Sequence, residues 1–163
     1  MGLASRLWEN DHGSKFPTQV SVTNGGALEL VTNGDVFPVF QAMSNELVSP
    51  IILLCPSDTS RTPSKSFITN FNDSKISYFA SLDANETMPQ MFLSGDRNIT
   101  NRIPPRHDIL ELKTNQAVGW TKTIHNARGN VGFADGSVQI MSNSGLTEAL
   151  RSSETPTNRI VLP

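Results

Sequence analysis

Asn130-Val131-Gly132-Phe133-Ala134-Asp135-Gly136-Ser137-Val138-Gln139-Ile140-Met141 places two alternating runs on either side of an Asp-Gly dipeptide. Apolar and polar residues in strict alternation mark a half-buried strand. Asp-Gly between two such runs is the strongest short-range signal of a β-hairpin. The spacing predicts a two-residue type I′ turn at Asp135-Gly136, with Phe133 opposite Val138 and Val131 opposite Ile140. In that register all four apolar side chains share the core face, while Asn130, Gly132, Ser137 and Gln139 point away.

The same reading extends outward. Ser144 to Ser152 predicts a short amphipathic helix with Leu146, Ala149 and Leu150 inward, and Asn158 to Leu162 a final extended segment. Upstream, Ile76 to Ala80 and Met91 to Leu93 read as strands joined by the polar connection Asp83 to Pro89. Ile109 to Leu112 and Val118 to Thr121 are weaker strand signals, and Asp96 to Pro105 reads as a long loop. Ile51 to Leu54 predicts a buried strand stopped by Pro56, ahead of a polar, Pro-containing loop from Ser57 to Lys65. Phe40, Met43 and Leu47 are spaced as on a helix over Phe37 to Leu47. Ala27 to Val31 fits a strand or a short helix, and Gln19 to Val22 a strand before the Asn24-Gly25-Gly26 turn. Residues 2–10 read as the end of a helix, with Leu3, Leu7 and Trp8 on its apolar face and Arg6, Glu9 and Asn10 on its polar side. Gly13 is a suitable stop. There is no internal repeat. The expected architecture is α+β: a helix stub, an antiparallel sheet and long polar loops.

A chain of 163 residues suits one domain and can bury a core without staples. Only 17% of residues are charged and the formal net charge is -2. That balance argues against a nucleic-acid partner, which would require clustered cations. The basic groupings Arg61/Lys65, Arg97/Arg102/Arg106 and Lys122/Arg128 read as solvated surface charge. Cys55 is the one cysteine, so no intramolecular disulfide forms; its apolar surroundings predict a buried structural thiol, with no His or Asn partner legible. No run approaches the ~20 apolar residues of a spanning helix, and no apolar signal-peptide region follows Met1.

Catalytic patterns are missing from the sequence. Asn24-Gly25-Gly26 lacks the Lys-Ser/Thr of a phosphate loop, and Leu93-Ser94-Gly95-Asp96 is not a nucleophile elbow. His12, His107 and His125 lie far apart, and none sits at helical spacing to another ligand, so no metal site is predicted; His107-Asp108 reads as a surface pair. Asp83/Asn85/Glu86 and Asn70/Asn72/Asp73 carry alternating oxygens but follow no EF-hand pattern, so Asx turns explain them and calcium is not predicted. His125 and Asp135 could in principle serve as acid and base. Asp135 already has a structural explanation in the hairpin, and for His125 a backbone hydrogen bond at the strand entrance is expected. No enzyme is expected.

His125, the intervening Asn126 to Ala134, and Asp135-Gly136 resemble the H-X9-DG segment near the C-terminus of many prepilin-like proteins, of the type common in Planctomycetes and Verrucomicrobia. Leu54-Cys55-Pro56-Ser57-Asp58 resembles the same family's mid-chain CPSD segment. Ser77-Tyr78-Phe79 and Gly95-Asp96-Arg97-Asn98 are similar to the strand pair that follows it. Leu3 to Pro17 resembles the junction where the long pilin helix ends.

The resemblance implies a type IV pilin-like head with residues 1–12 as the end of the pilin-type helix and residues 13–163 as the head. His125, Asp135, Gly136, Cys55, Pro56 and Asp58 would be structural family positions. The implied role is that of a pseudopilin, a structural subunit of a type II secretion or type IV pilus-like filament. Such a subunit is extracytoplasmic and anchored in the inner membrane by an N-terminal helix. That helix is missing before Met1-Gly2, a start that fits a fragment trimmed to the soluble head. The implied partners are other pilin-like subunits. The alternative is a minor-subunit binding module that recognises a secreted protein or a glycan through loops 57–75 and 94–108, with Trp120 and Tyr78 available to stack on sugars.

Overall fold

Strands form where aromatic and aliphatic residues run between turns, and every pairing is antiparallel. The computed structural model describes residues 1–153 and 155–163. Its main sheet contains β1 (Tyr78–Ser81), β2 (Phe92–Asp96), β4 (Ile109–Lys113), β6 (Gly129–Phe133), β7 (Val138–Met141) and β8 (Thr157–Val161) in the order β4-β8-β1-β2-β6-β7. A separate ribbon pairs β3 (Ile99–Thr100) with β5 (Gly119–Trp120). The final extended segment is thus not peripheral: β8 is inserted between β4 and β1.

Alternation gives the sheet two apolar faces. One is covered by α1 (Gly2–Asp11), α2 (Leu28–Val31), α3 (Phe37–Ala42) and α4 (Ser44–Leu47). Here Trp8, Val31, Val39, Phe40 and Met43 pack with Ala80 and Val161. On the other face Phe79, Phe92, Val131, Phe133 and Ile160 pack with Leu146 and Leu150 of α5 (Asn143–Ser152) and with Trp120. The α+β class and the N-terminal helix agree with expectation.

Four local expectations are corrected. The hairpin turn has three residues rather than two. Gly136 donates to the Phe133 carbonyl and Phe133 to that of Ser137, both at 2.9 Å. Gly136 alone of the turn adopts positive φ, +86°, as in a type I turn closed by a glycine bulge. Its position is set from outside: Ala134 donates to the Met91 carbonyl and Asp135 to that of Pro89. The extra loop residue slips the register by one, so that Asn130 faces Ile140 and Gly132 faces Val138. Val131 and Phe133 are buried, whereas Val138 and Ile140 are 62% and 66% exposed on the edge strand.

The expected strands at 19–22 and 51–54 are replaced by 3₁₀ turns, Pro17–Gln19, Val22–Asn24 and Pro50–Leu53. Pro at the first helical position favours two of them. Ser49 accepts from the Ile51 N–H, Leu53 is buried, and Ile51 and Ile52 face solvent. The apolar stretch 37–47 breaks into α3 and α4 at Met43. Finally, α1 is rotated from its expected orientation. Ala4, Ser5, Trp8 and Glu9 are buried, while Leu3 and Leu7 are 74% and 50% exposed. The buried Trp8 ring is stacked 3.6 Å from that of His12. Among the described residues no helix is long and apolar enough to cross a membrane.

Candidate functional site

The end of β2 and the two residues after it, Gly95-Asp96-Arg97-Asn98, organise the site, each in a different way. Gly95 pairs with Phe79 and Val131 in the middle of the sheet. A Cβ there would lie 2.6 Å from the Asn130 carbonyl oxygen and 2.7 Å from the Phe79 ring, so only glycine permits this strand spacing.

Asp96 is wholly buried. Its Oδ2 accepts from the Asn130 N–H at 2.6 Å and the Asn130 amide Nδ2 at 2.9 Å. Its Oδ1 has no hydrogen-bond partner among the described residues.

Arg97 turns inward onto Asp58. Its Nε and Nη2 donate to the two carboxylate oxygens at 2.6 and 2.8 Å. Ser60 and Ser77 hydroxyls donate to the same carboxylate. Burial opposes the charge of Asp58, but the hydrogen bonds from Arg97, Ser60 and Ser77 outweigh it and hold the carboxyl far below its usual range. Arg61 is also recruited inward, donating to the carbonyls of Asp73, Ile76 and Pro163. Arg61 and Arg97 are therefore not the solvated surface charges their spacing suggests.

The buried Asn98 amide directs its Nδ2 at the carbonyls of Thr121, Ile124 and Arg128, all within 3.0 Å. It thereby shapes the loop that carries His125. His125, Asn126 and Ala127 all adopt left-handed φ, at 53°, 51° and 62°. Each such residue costs on the order of 1–2 kcal/mol, so three in succession persist only where surrounding contacts impose them.

That loop delivers His125 to Cys55. The Cys55 Sγ lies 3.2 Å from His125 Nε2, and Asp96 Oδ2 lies 3.5 Å from the same nitrogen. Cys55 and Asp96 are buried and His125 is partly exposed. Tyr78 stands opposite Asp96 on β1. Burial and the neighbouring Cys55, Asp96 and Asp58 push its phenol up to about 12, so it is neutral at physiological pH.

Cys55 and His125 meet at the end of β2 with Asp96, while Asp58 is held separately by Arg97, Ser60 and Ser77. The imidazole contacts two side chains rather than the backbone partner expected for it. Pro56 is an exposed turn residue beside them. Asp135 and Gly136 sit at the far end of β6, roughly 15 Å or more from His125 along the strand. Asp135 binds its own neighbour: the Ser137 hydroxyl and N–H hold its carboxyl below the usual range. His125 and Asp135 are thus not brought together as an acid–base pair.

Nor do the two oxygen-rich runs converge. Asp83 pairs with Arg159, and Asn85 and Asn72 accept from Thr87 and Ser74 within their own turns. Trp120 is buried in the core, and Tyr78 is half-buried.

A thiol nucleophile served by an Asp–His relay would need the carboxylate on the ring nitrogen opposite the thiol. Here thiol and carboxylate approach one nitrogen, and the three ligand-type atoms lie within 4.8 Å of one another. Such a cluster can hold a cation. In the sequence Asp96 stands only within the Gly95-Asp96-Arg97-Asn98 resemblance and at the start of the loop expected over Asp96 to Pro105, which hides its place at the buried end of β2. The available signal was the unbroken polar run Asp96-Arg97-Asn98 directly after an apolar strand.

No family model matches this chain, and no curated protein or solved structure matches it significantly.

Proposed function

We propose that this domain is the head of a pilin-like filament subunit, a pseudopilin of a type II secretion or type IV pilus-like system, exposed outside the cytoplasm. One observation carries the reading: α1 has two apolar sides. Ala4 and Trp8 are buried against its own domain, and Leu3 and Leu7 are exposed one turn apart on the outside. A helix patterned this way suits a subunit that packs on its own sheet and on a neighbour at once. The antiparallel sheet beneath the helix and the ordered motifs at Cys55, Gly95 and His125 add support. Joined to a prepilin-type helix ahead of α1 and expressed with a compatible assembly system, the chain should enter filaments visible by electron microscopy. Persistent monomers would count against this reading.

A second reading, a minor subunit that binds a glycan or secreted protein, has its own support. A cleft of about 410 Å³ lies between the loop at Asn101–His107 and the edge strand β4, lined by Arg106, His107, Glu111, Lys113 and Arg159. A glycan array probed with the isolated domain tests this; retention of an acidic or neutral oligosaccharide, lost in Arg106→Ala, is the expected outcome.

A further inference from the structure

We propose that Cys55, Asp96 and His125 form a mononuclear site for zinc or a zinc-like divalent cation, completed by water on the partly exposed side of the imidazole. The residues come from three distant stretches: the turn at Cys55-Pro56, the end of β2, and the loop before β6.

Geometry is the first support. A neutral imidazole nitrogen offers one lone pair or one hydrogen. It cannot bond well to both Cys55 Sγ at 3.2 Å and Asp96 Oδ2 at 3.5 Å. Tetrahedral zinc with bonds of about 2.0–2.3 Å sets its ligand atoms roughly 3.3–3.8 Å apart. The two separations from Nε2 are close to those edges, and all three atoms lie within 4.8 Å of one another, as expected if they share a cation rather than a proton.

Charge is the second. A fully buried carboxylate requires a counter-charge or complete hydrogen bonding. Asn130 donates twice to Asp96 Oδ2, the oxygen nearest His125, whereas Oδ1 has no partner among the described residues, so the buried carboxylate is only half satisfied. The adjacent cation, Arg97, is committed to Asp58.

Donor chemistry is the third. Sulfur and imidazole nitrogen suit zinc, cobalt or copper, whereas calcium and magnesium take oxygen. Binding converts the thiol to a thiolate and releases its proton to solvent, with the imidazole neutral. The surroundings are built for fixed ligands: Asn130 orients Asp96, and Asn98 holds the histidine loop.

The test is titration of chelator-treated protein with cobalt(II), followed by displacement with zinc. One cobalt per chain is expected, with the intense visible bands of a tetrahedral site and a thiolate-to-cobalt charge-transfer band. Cys55→Ser should abolish that band, and Asn130→Ala should weaken zinc binding ~10- to 100-fold. Near-ultraviolet circular dichroism verifies that each variant is folded, and Asp96→Asn replaces Cys55→Ser if the latter is not. If the folded wild-type protein binds no cobalt, or the charge-transfer band survives in Cys55→Ser, the proposal is overturned.

Discussion

Asp58 is a nearly inaccessible carboxylate, tolerable there because Arg97 grips both of its oxygens. Removing one partner of a buried ion pair leaves an uncompensated charge, which typically costs about 3–5 kcal/mol. Arg97→Ala should lose that much stability in urea denaturation. Arg97→Lys should recover only part, because an ammonium cannot reproduce the two-nitrogen contact. A loss below ~1 kcal/mol in Arg97→Ala would show that Asp58 is satisfied without the arginine. Cys55 and His125 each stand out in the sequence, yet their partnership is not legible there. Seventy residues separate them, and only the pairing of β1, β2 and β6 closes that distance.

The hairpin shows what a local pattern can and cannot specify. Its strands and the Asp135-Gly136 turn were legible, but its register was not. The deciding hydrogen bonds run from Ala134 and Asp135 to Met91 and Pro89, more than forty residues away. These anchor a three-residue turn, and the extra residue reverses which face Val138 and Ile140 occupy. Gly136→Ala forces a Cβ into the left-handed region at φ +86°, which should cost about 1–2 kcal/mol. The urea midpoint reports it, and no change would contradict the left-handed conformation at Gly136. The 3₁₀ turns at 17–24 and 50–53 were missed for a related reason. Val20, Val22, Ile51 and Ile52 favour strands intrinsically, but among the described residues they pair with no strand, and Pro17 and Pro50 start tight turns instead.

For the molecule as a whole, two carboxylates set opposing limits on stability. Asp58 is held below its unfolded value near 3.8, so its contribution is present above that pH and is lost on acidification. Glu9 is raised to about 7, first by burial and then by the neighbouring Glu86, against the opposing Arg6 guanidinium 2.9 Å from its Oε2. Its folded form favours the proton, so that contribution is full below its unfolded value of 4.5 and is lost as pH rises through 7. Thermal stability should therefore peak between these limits. Glu9→Gln should flatten the alkaline side and gain about 1–3 kcal/mol at pH 8. An unchanged alkaline slope in that variant would remove Glu9 as its cause.

The outer face of α1 bears most directly on function at this scale. Leu3 and Leu7 contribute little to the domain's own core, so charging them should leave the fold intact and disable packing against a neighbour. The decisive measurement is electron microscopy of the helix-joined protein carrying Leu3→Glu and Leu7→Glu, alongside thermal unfolding of the same double variant as an isolated head. The account predicts an unfolding temperature within a few degrees of wild type, since surface changes are usually worth under ~0.5 kcal/mol, together with loss of filaments. Filaments as abundant as those of the unmodified subunit would contradict it.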